Sequence, residues 1–194
     1  YSQRGKYQIV VSDSFLTGIG DHWINFQKLK EKLLKEGLFA SENKKVLPSF
    51  PETIGVVSSI HGAVIQDITN ILNRRAPYIT LVIADTRVQG DNASNLICHS
   101  INELNIRSVD LIILARGGGS NEELMVFNDE ELARTIFKSK VPIISAIGHE
   151  TDFTIADLVA DIRASTPSEA AELCTEDKED LLQRIDFLKI RINN

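Results

Sequence analysis

The sequence predicts an α/β fold: an open, mainly parallel sheet with helices on both faces, plus a C-terminal helix leading into a helical extension. Three observations carry this. From Ile54 onward, short β-branched runs alternate with segments of helical periodicity. The runs are apolar throughout rather than alternating, as in strands covered on both sides. The 194 residues, 43% of them hydrophobic, suffice for one ordinary core with appendages.

The elements follow in order. "KYQIVVSD" (6–13) reads as a short strand. "HWINFQKLKEKLLKEG" sets Trp23, Phe26, Leu29 and Leu33 at spacings of three and four, a helical stripe with Asp21 as N-cap and Gly37 as its stop. The polar, proline-ended "SENKKVLPSFP" (41–51) is the best candidate for a domain boundary. Strands are then predicted over 54–59, 78–86, 109–116 and 141–148. The helical patterns between them cover 62–75, 92–104, 121–138 (two short helices broken near Asn128) and 151–160. "ADIRASTPS" (160–168) reads as a turn-rich return. Pro167 and Ser168 then open one long helical pattern to Ile192, with Leu173, Leu181, Ile185, Leu188 and Ile192 on an imperfect stripe. The division is 1–47 as a linker strand and helix, 48–172 as an α/β domain, and 173–194 as the start of a long helical region.

Composition narrows the function. No run of about 18 apolar residues is present, so a membrane span is not expected. The opening "YSQRGKYQIVV" lacks the pattern of a signal peptide and a starting Met, and reads as continued from something longer. Cys98 and Cys174 stand far apart, outside any CxxC, and are expected as buried thiols in a reducing, cytoplasmic compartment. Residues 48–172 carry 17 acids against 9 Lys and Arg, which argues against a broad nucleic-acid platform but not against a small basic pocket.

In an open parallel sheet, ligands bind beyond the carboxyl ends of the strands. The first strand ends in Ser58-Ser59, the second in Asp85-Thr86-Arg87, the third in Arg116 and the glycines, the fourth in "GHETD" (148–152). Arg116, with Gly117, Gly118, Gly119 and Ser120 behind it, suits an anionic oxygen: exposed amides before a helix, beside a cation that matches phosphate bidentately. A plain strand-to-helix turn is the competing reading. His149 stands three residues before Asp152, on one face if a helix begins at Thr151, and a carboxylate there would orient the imidazole and raise its proton affinity. Alternatively Asp152 or Thr151 is a simple helix N-terminal residue. Asp67 by itself is ordinary helix surface. Arg74 and Arg75 read as a solvated helix end, and His22, His61 and His99 as structural. No DxD or HxH ligand pair ends a strand, so no metal residues are assigned.

Together, "LPSFPETIGVVSS", "GAVIQDI", "RVQG", "RGGGSNEEL", "FNDEELARTI" and "VPIISAIGHETDFTIADLVADIRASTPSEAAEL" resemble the large-subunit family of bacterial exodeoxyribonuclease VII, over nearly the whole chain. The resemblance implies processive hydrolysis of single-stranded DNA from either end to oligonucleotides with 5′-phosphates, with no obligatory metal or cofactor. It implies an OB-fold upstream, and several copies of a small helical subunit bound through the C-terminal helical region. Family functional residues carry over to Asp67, Arg116, His149 and Asp152, with Gly117, Gly118, Gly119, Ser120, Arg87, Ser58 and Ser59 expected at phosphate or DNA. Departures are Ile60-His61 where the family favours Pro-Thr, Gln66 for a basic residue, and Ser165 where proline is common. On this reading Arg116 and the glycine amides stabilise developing charge, and His149 moves a proton as acid or base, oriented by Asp152. Two other classes fit the same glycine loop: a transferase acting on nucleotides or sugar phosphates, and a non-catalytic DNA-binding or scaffold module.

Overall fold

The structure, a computed structural model, describes residues 19–118, 121–148, 153–175 and 178–192. The strand expected over 6–13 lies outside them.

Helix α1 (Ile19–Lys35) already includes Asp21, so that residue sits in the first turn rather than at the N-cap. Its stop is the expected Gly37, at φ +81°. The Gly37 N–H donates to Leu34 O at 3.0 Å and the Leu38 N–H to Leu33 O at 3.1 Å, a Schellman closure. Leu33 and Leu38 are both buried, while Phe26 and Leu29 pack on the same core. Trp23, at the far end of the stripe, is 61% exposed and stacks on Phe26. Polar ties to helix α4 (Glu130–Phe137) reinforce this: Lys32 binds Glu130 at 2.7 Å and Glu36 binds Arg134 at 2.8 Å. The hydrogen bond from Lys32, then that from Arg134, hold the Glu130 carboxyl below its ordinary pKa.

The sheet contains β1 (Thr53–Ser58), β2 (Thr80–Asp85), β3 (Leu111–Ala115), β4 (Ile143–Ala146) and β5 (Ile162–Arg163), in the order β2-β1-β3-β4-β5, all parallel. Four strands match the predicted runs. The fifth replaces the expected turn-rich return: two residues paired with Ile144 and Ser145 are too few to leave a periodic signal.

Right-handed crossovers explain the layering. The chain steps one way from β1 to β2 through α2 (Ala63–Arg75), then reverses past β1 to β3 through α3 (Ala93–Ile106). The two helices therefore fall on opposite faces. Val64, Ile68 and Leu72 of α2 join Ile54, Val56, Leu111 and Ile113 in one core. Ile97, Ile101 and Leu104 of α3 join Val57, Ile112 and Leu114 in the other, with α4, α5 (Ile155–Val159) and Leu33 of α1. The helical break expected near Asn128 is real: a 3₁₀ stretch, Asn121–Asn128, ends there, and Asp129 caps α4 by accepting from the Leu132 N–H at 2.9 Å.

The long terminal helix is instead two, α6 (Pro167–Leu173) and α7 (Lys178–Ile192). Arg75 contacts the break: its Nε donates to Thr175 Oγ1 at 3.2 Å and its Nη2 to Thr175 O at 3.4 Å. Arg75 is thus a tertiary contact rather than a solvated helix end. Of the expected stripe, Leu173 falls on α6 and the rest on α7, where Ile185 and Leu188 are exposed. Among the described residues, no helix is long and apolar enough to cross a membrane.

Candidate active site

Strand order reverses between β1 and β3, and the carboxyl ends beside such a switch point form the crevice where α/β sheets of this order bind ligands. A cleft of about 160 Å³ opens there. Its walls are the start of α2 (Ala63, Val64 and Asp67), the turn after β3 (Arg116, Gly117 and Gly118), Gly148 after β4, and Ser165 and Thr166 after β5.

Local sequence explains each wall. Arg116 directly follows five fully buried strand residues and is itself only 4% exposed, its N–H donating to Ala146 O at 3.2 Å. A guanidinium so placed acts in a low dielectric, where its attraction for an anionic oxygen is strongest. Asp67 is exposed on α2, one turn in from Gly62, the N-cap of that helix. Thr166 caps α6, accepting from the Glu169 N–H at 3.1 Å.

Neither Gly117 nor Gly118 has positive φ, so the backbone conformation does not demand them. A Cβ on Gly117 would make an ordinary 3.4 Å contact with Val64 Cγ2, and one on Gly118 would meet nothing within 4 Å. A side chain's space is therefore open at Gly118 and bounded only by Val64 at Gly117.

Of the residues predicted from sequence, Asp67, Arg116, Gly117 and Gly118 share this cleft. Ser58, Ser59 and Arg87 stand on the same sheet edge but are not among its lining residues. Ser58 is buried at the end of β1 and its carbonyl accepts from the Thr86 N–H; Arg87 is exposed beyond β2. Gly119, Ser120, His149 and Asp152 lie outside the described residues, although the lining residues Gly118 and Gly148 immediately precede two of them. The helix imagined to begin at Thr151 starts later, at Ile155, with Thr154 as its N-cap.

That cap belongs to a buried network. Asp157 accepts from Ser145 Oγ at 2.5 Å through one carboxylate oxygen, and from the Thr154 N–H and hydroxyl at 2.9 and 2.7 Å through the other. Asn128 Oδ1 accepts from the Ile155 N–H at 2.9 Å. The start of α5 is thereby pinned to β4 and to the 3₁₀ stretch Asn121–Asn128. The capping-box spacing in "TIAD" was a readable signal for this. Ser165 and Thr166 had none, because they depend on the unread fifth strand.

Neither thiol competes as a nucleophile. Cys98 and Cys174 are free and buried. Burial pushes Cys174 up to about 12 and raises Cys98 as well, so neither supplies thiolate near neutrality. Among the described residues, no group of three or more His, Cys, Asp or Glu could hold a metal ion.

Fold and cleft define a doubly wound α/β domain with a polar-lined pocket at its switch point. The family model described as "Exonuclease VII, large subunit" matches residues 38–194, and the chain belongs to that family. Proteins named "Exodeoxyribonuclease 7 large subunit" agree along its length. The one from Clostridium tetani is 54% identical over 194 residues, 100% of this chain and 49% of that protein. Those from Geobacter metallireducens and Clostridium botulinum (strain Okra) are 50% and 51% identical, covering 99% and 100% of this chain and 43% and 48% of theirs. The chain spans about half the length of the curated relatives it matches.

Proposed function

We propose that this chain is the catalytic core of a single-strand-specific exodeoxyribonuclease that leaves 5′-phosphate oligonucleotides. The observation that carries the reading is the sharing of one switch-point cleft by Asp67, Arg116, Gly117 and Gly118, in a member of the exonuclease VII large-subunit family.

Water attacks the scissile phosphorus as the bond to the leaving 3′-oxygen breaks. Negative charge grows on the non-bridging oxygens and is met by the Arg116 guanidinium and the glycine-loop amides. His149, two residues after the cleft-lining Ile147, takes the proton from water or gives one to the leaving oxygen, with Asp152 orienting the ring. Asp67 positions the water or the imidazole. No obligatory metal is assigned to the reaction.

The DNA platform belongs to an OB-fold upstream, consistent with an α/β core that carries a net excess of acids. A small subunit binds the helical region that α7 begins; its exposed Leu182, Ile185 and Leu188 support an interaction surface there. The free, buried cysteines suit a cytoplasmic setting.

The test is gel-resolved turnover of a labelled single strand by the full-length protein with its small subunit. Turnover should persist in excess chelator, and His149→Ala should lower it by roughly 10²–10⁴-fold. Loss in chelator with recovery on adding Mg²⁺ would overturn the metal-free mechanism. Normal turnover by the variant would remove His149 from the chemistry.

A further inference from the structure

Phe153 is 53% exposed, whereas Thr154 and Ile155 beside it are buried. The Arg163 guanidinium lies over its ring, with Cζ 4.1 Å from the ring centroid. Both residues belong to the edge of the sheet that holds the cleft. Phe153 lies five positions after the cleft-lining Gly148 in sequence, and Arg163 ends β5 two residues before the cleft-lining Ser165. Register fixes the level of Arg163. Arg163 pairs with Ser145, and Ser145 with Leu114, two residues before Arg116. At strand spacings of about 4.8 Å, β5 lies roughly 10 Å from β3 along this edge, a neighbouring-nucleotide scale of separation.

We propose that Phe153, backed by Arg163, is a stacking seat for a nucleobase of the single strand whose phosphate occupies the Arg116 cleft. The inference rests on the nuclease reading above and assigns it a base-binding subsite. An aromatic face accepts any base, so the seat tolerates sequence variation, as an exonuclease moving along a strand requires. Arg163 holds the ring in place and adds a cation beside the bound base. The acidic balance of residues 48–172 offers little phosphate neutralisation here, so stacking is the contact by which this edge holds the strand near its reacting phosphate. The pair is also a positioning device: a seated base limits how far the adjoining phosphate can move from Arg116.

The experiment uses the full-length protein with its small subunit and two oligomers of equal length, one an ordinary labelled single strand, the other with tetrahydrofuran abasic residues throughout. Phe153→Ala should raise KM roughly tenfold or more on the ordinary strand. It should change KM on the abasic strand little, because no base is present to stack. Phe153→Trp should restore wild-type KM, and thermal melting should show both variants folded. Equal losses on the two oligomers would overturn the seat and leave a merely structural ring, as would an unchanged KM for Phe153→Ala on the ordinary strand. Loss of small-subunit assembly without a base-dependent change would also overturn it, in favour of a protein contact. A wild-type enzyme that hydrolyses neither oligomer would overturn the nuclease reading, and the seat with it.

Discussion

At the amino ends of the strands, Asp110 and Asp161 commit their carboxylates to the backbone. Asp110 Oδ2 accepts from the Glu52 and Thr53 N–H groups at 2.8 and 2.7 Å. Asp161 accepts from Lys45 N through one oxygen and Ile143 N through the other, both at 2.7 Å. At the carboxyl ends the cleft contains an exposed carboxylate, Asp67, a buried guanidinium, Arg116, and a glycine whose Cβ space is empty. The same types of side chain therefore perform different tasks at the two edges. One edge satisfies strand starts that would otherwise bury unpaired donors. The other sets an exposed carboxylate, a buried guanidinium and open space at Gly118 around one cleft, although Asp85 there still accepts from the Ile60 N–H at 2.9 Å.

Lys44 shows how closely the amino edge is packed. Its ammonium donates to the carbonyls of Leu158 and Ala160, and burial lowers its pKa despite the nearby Asp161. The segment from 41 to 51, read from sequence as a boundary, is held against α5 and β5 through these bonds and through Lys45.

Substitutions at the two edges should separate activity from stability. The largest effect is expected at the cleft. Arg116→Lys should lower single-strand turnover by roughly 10²–10³-fold, because an ammonium cannot reproduce the bidentate fork at an oxyanion. Steady-state kinetics of the full-length protein with its small subunit measures this, and near-normal turnover would remove the distinction between the edges.

Asp161→Ala should do the reverse. Leaving the Lys45 and Ile143 N–H groups without their acceptor should destabilise the fold by about 3 kcal/mol. Thermal unfolding should drop by roughly 10 °C, while turnover measured well below the transition is retained. Lost turnover in a fully folded variant would mean that the amino edge also serves the chemistry.

Gly118→Ala should give the smallest effect and the sharpest contrast. With no neighbour within 4 Å and no positive φ, a methyl group should change stability by less than about 1 kcal/mol. Turnover should still fall roughly tenfold, from displacement of a phosphate by the added methyl. Unchanged turnover would favour the plain-turn reading of the glycine loop.

These contrasts also explain what the sequence made legible. Strands β1 to β4 announced themselves because each is apolar on both faces, and their ends pointed to Arg116 and the glycines. Strand β5 did not, since Ile162 and Arg163 owe their extended pairing to β4 rather than to local pattern. The α6–α7 break was likewise invisible: Thr175, where it falls, meets Arg75, 100 residues away in sequence. Asp67 by its local pattern looked like helix surface, and it remains exposed; only the resemblance grouped it with Arg116, with which it lines one cleft. The true start of α5 was readable in "TIAD", but the preceding Thr151 offered a rival cap that periodicity could not reject.

The most direct test of the central claim is a crystal structure of the full-length protein and its small subunit with a short single strand bearing a non-hydrolysable linkage. The account predicts a phosphate oxygen within about 3 Å of the Arg116 guanidinium and of a Gly117 or Gly118 amide, inside the β1/β3 cleft. A reacting linkage held elsewhere on the sheet edge, with that cleft empty, would contradict it.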